Sequence, residues 1–304
     1  MAAIGAQVQK TGTGDALARA RQRAALLPDL LVEARRILNT VNTGWHGRRK
    51  SGVGESFWQF RPYTEGEAIS RIDWRRSARD DRTYIRDQEW EAAHTVWLWA
   101  DPSPSMLFKS EQAQASKESR ALVMILALAE LLSRSGERIG FPGVTDPTSA
   151  RNGAERLATS LAHAGNLSAK PDLSRIKRFS EVVLVSDFLD PVDETIATLE
   201  KLAHSGARAH LIEVYDPAEE DFPYRRRTEF VDPETGSSLT FGRAEDYADG
   251  YRRLFFARRA ALSDFCKRIG WSYTTNRTDR LASEALVSVH MNMTANVGYQ
   301  GGAS

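Results

Sequence analysis

From residue 94 onward, short apolar runs alternate with longer helical stretches, and few folds accept that pattern. Residues 94–100 are rich in Val, Trp and Leu and read as a strand. Residues 181–186 carry Val-Val-Leu-Val at their centre, a continuous apolar run suited to a strand covered on both faces. Residues 138–141, 209–215 and 271–274 read as further strands. Helical stretches fall at 110–135, 154–164, 193–204, 249–269 and 280–290, the first apolar nearly all round in its second half. A turn-rich loop holds Pro142, Gly143, Asp146 and Pro147. Residues 229–231 and 238–241, joined by Asp232-Pro-Glu-Thr-Gly236, predict an inserted hairpin. The expected fold class is α/β, a mainly parallel sheet with helices on both faces.

The flanks differ. Residues 1–14 are polar and glycine-rich and read as disordered. Residues 15–42 read as helix in two pieces, with Pro28 in the first turn of the second. There Leu30, Leu31, Ala34, Ile37, Leu38 and Val41 form an apolar stripe that most simply packs on the sheet domain. Residues 43–91 are rich in Arg, Gly and Trp, and short strands are expected at 57–60 and 83–86. The predicted organisation is a disordered start at 1–14, a helical and β-rich module at 15–91, the sheet domain at 92–291 and a flexible tail at 292–304.

Bulk properties narrow the function. A net charge of +1 gives no general pull toward nucleic acid or anionic membrane. The lone Cys266 cannot form an internal disulfide and reads as a small buried hydrophobe. The N-terminus lacks the apolar core of a signal peptide. The longest apolar run, 121–129, is far short of the roughly 20 residues that span a bilayer. A cytoplasmic protein is expected. The six histidines show no metal-ligand spacing, and neither a Gly-x-Ser-x-Gly elbow nor a Walker loop occurs.

The strongest chemical signal is Asp101-Pro-Ser103-Pro-Ser105, between an apolar strand and a long helix. In open α/β sheets, ligands bind outside the carboxyl ends of the strands. One carboxylate and two hydroxyls are hard oxygen donors that suit Mg²⁺ or Mn²⁺. Asp187, ending the 181–186 strand, fits a second donor, and Asp190 is a weaker one. The competing reading is plain loop chemistry, with Asp or Ser capping a helix. Asp216, before Pro217, reads as a turn-forming residue, and Arg252, Arg253, Arg258 and Arg259 as a solvated helix face.

Asp-x-Ser-x-Ser at a strand end, a buried helix, then a distant strand ending in Ser186-Asp187 resemble the von Willebrand factor A domain and its metal-ion-dependent adhesion site. The preceding segment narrows the match. Gly52-Val-Gly54-Glu-Ser-Phe57, Arg61-Pro-Tyr63-Thr-Glu-Gly66-Glu, Ile72-Asp73-Trp74-Arg75, Ser77-Ala78-Arg79 and Tyr84-Ile85-Arg86 occur in that order, a set similar to the bacterial domain of unknown function 58 family. The resemblance spans residues 33–290, with sharp motifs over 44–106. It implies a von Willebrand factor A-like, Rossmann-type fold with an N-terminal elaboration, and genomic company with MoxR-type AAA ATPases. The implied site holds Asp101 as principal anchor, Ser103 and Ser105 as direct ligands and Asp187 as outer ligand. Adhesion sites add a Thr from a middle loop. Here no Thr sits at the start of the 154–164 helix, Thr145, Thr148 and Ser149 are all open as substitutes, and the Mg²⁺ or Mn²⁺ site is expected to be incomplete.

A second candidate is the Arg-rich strip 48–86, with Trp58 and Trp74 interleaved and Trp45 just before it. Basic plus aromatic suits single-stranded nucleic acid. Interleaved Glu65, Glu67, Asp73, Asp80, Asp81, Asp87 and Glu89 make local ion pairing the simpler account. Arg61, Tyr63, Asp73, Trp74, Arg75 and Arg79 are expected to dock a protein partner, with Trp74 read as buried. The expected function is a non-catalytic interaction or scaffold protein working with a MoxR-type AAA ATPase or its client. The alternatives are a metal-dependent phosphoester hydrolase on the same acidic face, and nucleic-acid binding through the strip.

Overall fold

The computed structural model describes residues 13–43, 57–64, 72–79, 82–88, 94–165 and 167–297. Its packing divides into two units, Gly47–Ala93 and the remainder of the chain.

The larger unit is built on a six-stranded sheet. In chain order its strands are β3 (Thr95–Ala100), β4 (Arg138–Phe141), β5 (Thr145–Thr148), β6 (Glu181–Ser186), β7 (Arg208–Tyr215) and β10 (Ser272–Arg277). Their spatial order is β10-β7-β6-β3-β4-β5. All neighbours pair in parallel except the edge pair β4–β5, which is antiparallel. The strand order therefore reverses between β3 and β6, the place where such sheets open a ligand crevice. Central strands β3, β6 and β7 are buried almost throughout, as their unbroken apolar runs require.

The helices are α1 (Thr13–Thr43), α3 (Lys117–Arg134), α4 (Gly153–His163), α5 (Val192–His204), α6 (Pro217–Asp221), α7 (Ala248–Arg268) and α8 (Ala282–Val297). α3 packs on the sheet, and α1 packs on α3, α4 and α8. Thus α3 lies between two layers, which explains its lack of a polar face: residues 120–130 are all buried. α5 and α7 pack with each other and against β7 and β10. Strand β8 (Thr228–Val231) and strand β9 (Ser238–Phe241) form the expected inserted hairpin.

Several expectations are corrected. α1 is one helix with Pro28 inside it. An internal proline forfeits a hydrogen bond, at about 3 kcal/mol, and burial of Leu27, Leu30, Ala34 and Leu38 offsets that. The stripe does pack on the sheet domain, so this helix groups with residues 94 onward rather than with a 15–91 module. α3 begins at Lys117, not 110, because the Ser116 Oγ accepts from Ser119 N–H and caps it there. The loop at 142–153 contains β5, whose Pro147 is tolerated on an edge strand. α8 runs to Val297, into the predicted tail. Residues 1–12 and 298–304 lie outside the described residues.

Arg258 and Arg259 are not a solvated face. They hold the fully buried Glu213 of β7 at 2.9 and 2.8 Å, and the Tyr273 hydroxyl also donates to it. This clamp fixes α7 on the sheet. The smaller unit contains β1 (Phe57–Pro62) paired antiparallel with β2 (Tyr84–Gln88), and a single turn α2 (Trp74–Ser77).

Removing the clamp carboxylate strands two guanidinium groups of low exposure. Glu213→Ala is expected to cost about 3–5 kcal/mol in urea unfolding, and Glu213→Gln distinctly less. A loss for Glu213→Ala below about 1 kcal/mol would show that the clamp behaves as a surface pair.

Candidate functional site at the strand-order reversal

β3 and β6 end side by side, and their ends are stitched together. The Asp101 N–H donates to the Val185 carbonyl at 2.9 Å, and the Ser186 hydroxyl donates to Asp101 Oδ2 at 2.6 Å. Asp101 Oδ1 accepts from the Ser103 N–H at 2.8 Å, which curls the loop so that the Ser103 and Ser105 hydroxyls lie 3.1 Å apart. The two prolines help: Pro104 starts a 3-10 turn, Pro104–Leu107, that buries Met106 as its anchor. After β6 the chain turns through Phe188 at φ +48, an uncommon backbone for a bulky side chain, held by its 8 % exposed ring.

The four predicted residues Asp101, Ser103, Ser105 and Asp187 line one cleft of about 430 Å³. Asp190, Glu194, Asp232 and Glu234 line it too, with Lys170. Glu234 reaches over from the turn of the β8–β9 hairpin, where its Oε1 accepts from the Ser105 N–H at 3.1 Å. Burial pushes the Glu234 carboxyl upward, and the charges of Asp187, Asp232 and Asp190 add to this against the Ser105 bond. Burial likewise pushes the Asp101 carboxyl up to about 6, with Asp187 adding, against the bonds from Ser186 and Ser103.

Lys117, at the first position of α3, was not singled out by sequence. Its side chain has 0 % exposure. The ammonium donates to Asp187 Oδ2 at 2.8 Å and to Glu219 Oε1 at 2.5 Å. Burial alone would lower its pKa, but Asp187 and Glu219 outweigh that and hold it raised, so it is charged. Asp216 locks the pair from behind. It caps α6 in a capping box with Glu219, and its Oδ2 accepts from the Ser110 N–H at 2.8 Å. Asp216, expected as a turn-forming residue, is the N-cap of α6, and that cap also braces the site.

The loop carries the hard oxygen donors that suit a divalent ion, although its two hydroxyls are also hydrogen-bonded to each other. Metal–oxygen bonds of about 2.1 Å in an octahedron set neighbouring oxygens about 3 Å apart, close to the 3.1 Å between the two hydroxyls. Among the described residues no group of three or more His, Cys, Asp and Glu is arranged to hold a metal, so an ion here would rest on hydroxyls with a loop carboxylate. Asp187 is engaged by the ammonium through Oδ2 and by the Leu189 N–H through Oδ1. None of Thr145, Thr148 and Ser149 lines the cleft. Thr145 Oγ1 accepts from the Phe141 N–H in the β4–β5 turn.

Beside the cleft lies an aromatic cavity of about 400 Å³, walled by Phe108, Phe222, Tyr224, Phe230, Phe241 and Tyr251. The two cavities share Ser105, Leu189 and Pro233. Lys117 lines the aromatic cavity and Asp187 the acidic cleft, so this ion pair forms part of the partition. Cys266 is fully buried and its thiol is pushed up to about 12 by burial, which leaves it inert.

In the smaller unit, Asp73 is half-buried. Its Oδ1 accepts from the Arg76 N–H at 2.9 Å and caps α2. Trp74, expected to be buried, is 63 % exposed because it sits on the outer side of this single turn, and Arg75 and Arg79 are exposed with it. Tyr63 is half-buried, its N–H donating to the Thr83 carbonyl. Arg61 lies in β1 opposite Ile85, and its side chain lies outside the described residues. So do Glu65, Glu67, Asp80, Asp81 and Glu89, and with them the expected ion-pair network.

The Asp101 value predicts a pH dependence. Folded, this carboxyl titrates near 6, above the ordinary value of about 3.9. The native state thus binds its proton more tightly than the unfolded chain does. From this group, stability is greatest below about pH 4 and declines as pH rises through 6, by about 3 kcal/mol in all. Urea unfolding between pH 4 and 8 should show Asp101→Asn gaining on the wild type across that window. A difference independent of pH would mean that Asp101 titrates as an ordinary carboxylate.

The family profile described as protein of unknown function DUF58 matches residues 59–261. The uncharacterized protein Rv1480 of Mycobacterium tuberculosis is 26% identical over 276 residues, covering 84% of this chain and 85% of that protein. The uncharacterized protein Mb1516 of Mycobacterium bovis matches to the same extent. Among solved structures, an aerotolerance-related membrane protein from Bacteroides fragilis aligns with a TM-score of 0.40 at 15% identity, over 67% of this chain and 100% of that one. BatB from Bacteroides thetaiotaomicron aligns with a TM-score of 0.39 at 15% identity, over the same shares. No described helix here is long and apolar enough to cross a membrane. With its profile matched over two-thirds of its length, the chain belongs to the DUF58 family.

Proposed function

We propose that this chain is a non-catalytic, cytoplasmic interaction protein that captures a protein partner at the cleft between β3 and β6. The observation that carries the reading is the meeting of Asp101, Ser103, Ser105 and Asp187 in one cleft at the reversal of strand order. The sheet order with a single antiparallel edge supports the von Willebrand factor A-like reading of the domain. Asp101, Ser103 and Ser105 would hold Mg²⁺ or Mn²⁺, with Asp187 as outer partner. Bound there, the ion would supply an electrophilic position for a carboxylate of the partner. The adjoining aromatic cavity suits an apolar anchor from the same partner.

By itself, the exposed set Trp74, Arg75 and Arg79 is a second contact surface, with the residue types that dominate binding hot spots. The family resemblance makes a MoxR-type AAA ATPase or its client the partner, and assembly or maturation of other proteins the process. The test is co-purification of the full chain with a MoxR-type AAA ATPase from the same organism. Asp101→Ala and Trp74→Ala are each expected to weaken capture about tenfold, a loss of about 1.4 kcal/mol. Capture unchanged in Asp101→Ala would remove the cleft from the interface, and no capture by the wild type would remove this partner.

A further inference from the structure

Lys117 is the most completely enclosed cation among the described residues, and it sits on the carboxylate that the metal reading assigns as outer ligand. We propose that the Lys117 ammonium is the resident cation on Asp187, in the wall between the two cavities, and that it competes with any divalent ion for that carboxylate. The inference rests on the reading of Asp101, Ser103 and Ser105 as ion-holding residues.

The geometry leaves the ammonium little freedom. Its residue opens α3, where the Ser116 cap fixes the backbone and the Lys117 N–H meets the Phe108 carbonyl. The Phe108 ring lies 5.9 Å from the ammonium. Asp187 and Glu219 take the charge from two sides, and Glu219 is itself held by the capping box of α6. Removing this ammonium from its carboxylates would leave charge uncompensated in a dry setting. A divalent ion on the loop hydroxyls would meet a fixed positive charge nearby and find Asp187 already neutralised. Both effects lower its affinity, and inside a protein such interactions are weakly screened.

The competition makes a directional prediction. Without the ammonium, Asp187 and Glu219 are two buried carboxylates with no counter-charge, and a divalent ion becomes the natural replacement. The experiment is calorimetric titration of MnCl₂ and MgCl₂ into the full chain, with thermal melts at the same ion concentrations, for the wild type, Lys117→Met, and Lys117→Met with Asp101→Ala. Methionine is unbranched like lysine and only one heavy atom shorter, and it removes the charge. The expected result is at least about tenfold tighter ion binding by Lys117→Met than by the wild type. It should come with a melting temperature that rises with ion in Lys117→Met, and both gains should vanish in the double variant.

Equal and tight binding by the wild type and Lys117→Met would overturn the inference while leaving the ion-holding role of the loop intact. No binding by either would overturn both. Should Lys117→Met not fold even with ion present, the wild type decides. Millimolar or weaker Mn²⁺ binding agrees with a resident ammonium, and micromolar binding contradicts it.

Discussion

The rim of this protein is organised by one buried ammonium. Lys117 joins the start of α3 to Asp187 at the end of β6 and to Glu219 in α6. Asp216, at the end of β7, extends the connection to Ser110 in the loop before α3. Two strand ends, the start of α3 and the loop before it are thereby held in one polar cluster. Each carboxylate in the cluster has a named donor, which is the condition for tolerating charge at this depth. The Asp-x-Ser-x-Ser loop is the outer edge of the same arrangement, and its shape depends on Asp101 accepting from both Ser103 and Ser186.

Packing explains why the cluster stays rigid. α3 is buried between the sheet and α1, and its first residue, Lys117, is fully buried against Asp187 and Glu219. α1 is tied to that same end, where Arg23 donates twice to Glu118, at 2.9 and 2.7 Å. On another side of the cleft, the hairpin places Glu234 over Ser105 and contributes Phe230 and Phe241 to the aromatic cavity. The acidic cleft therefore has an apolar cavity beside it. A protein partner offering one polar and one apolar anchor would match both, whereas either alone is small for a stable interface.

Much of the fold was legible because its signals are local. The apolar runs of β3, β6 and β7 can only be buried strands, and the hairpin turn Asp232-Pro-Glu-Thr-Gly236 announces itself through a glycine at φ +72. β5 was hidden because Thr-Asp-Pro-Thr has no alternating apolar face; its strand character comes from pairing with β4. The Asp101 and Asp187 convergence was legible from strand ends alone. Lys117 was not, because a lysine in a first helical turn looks like any solvated residue. Only long-range partners, Asp187 after β6 and Glu219 in the capped α6, turn it into a buried charge. The exposure of Trp74 was missed for the opposite reason: its neighbours suggested an anchor, but the turn carrying it is only four residues long.

The central claim is that the Lys117 ammonium, and not a divalent ion, sits on Asp187. Crystals of the full chain grown in MnCl₂ would test it directly, through the anomalous signal of manganese. The account predicts Lys117 Nζ at a hydrogen-bonding distance of about 2.8 Å from Asp187, with any manganese confined to the side of Asp101, Ser103 and Ser105. Manganese bonded directly to Asp187, with the lysine side chain turned away from it, would contradict the account.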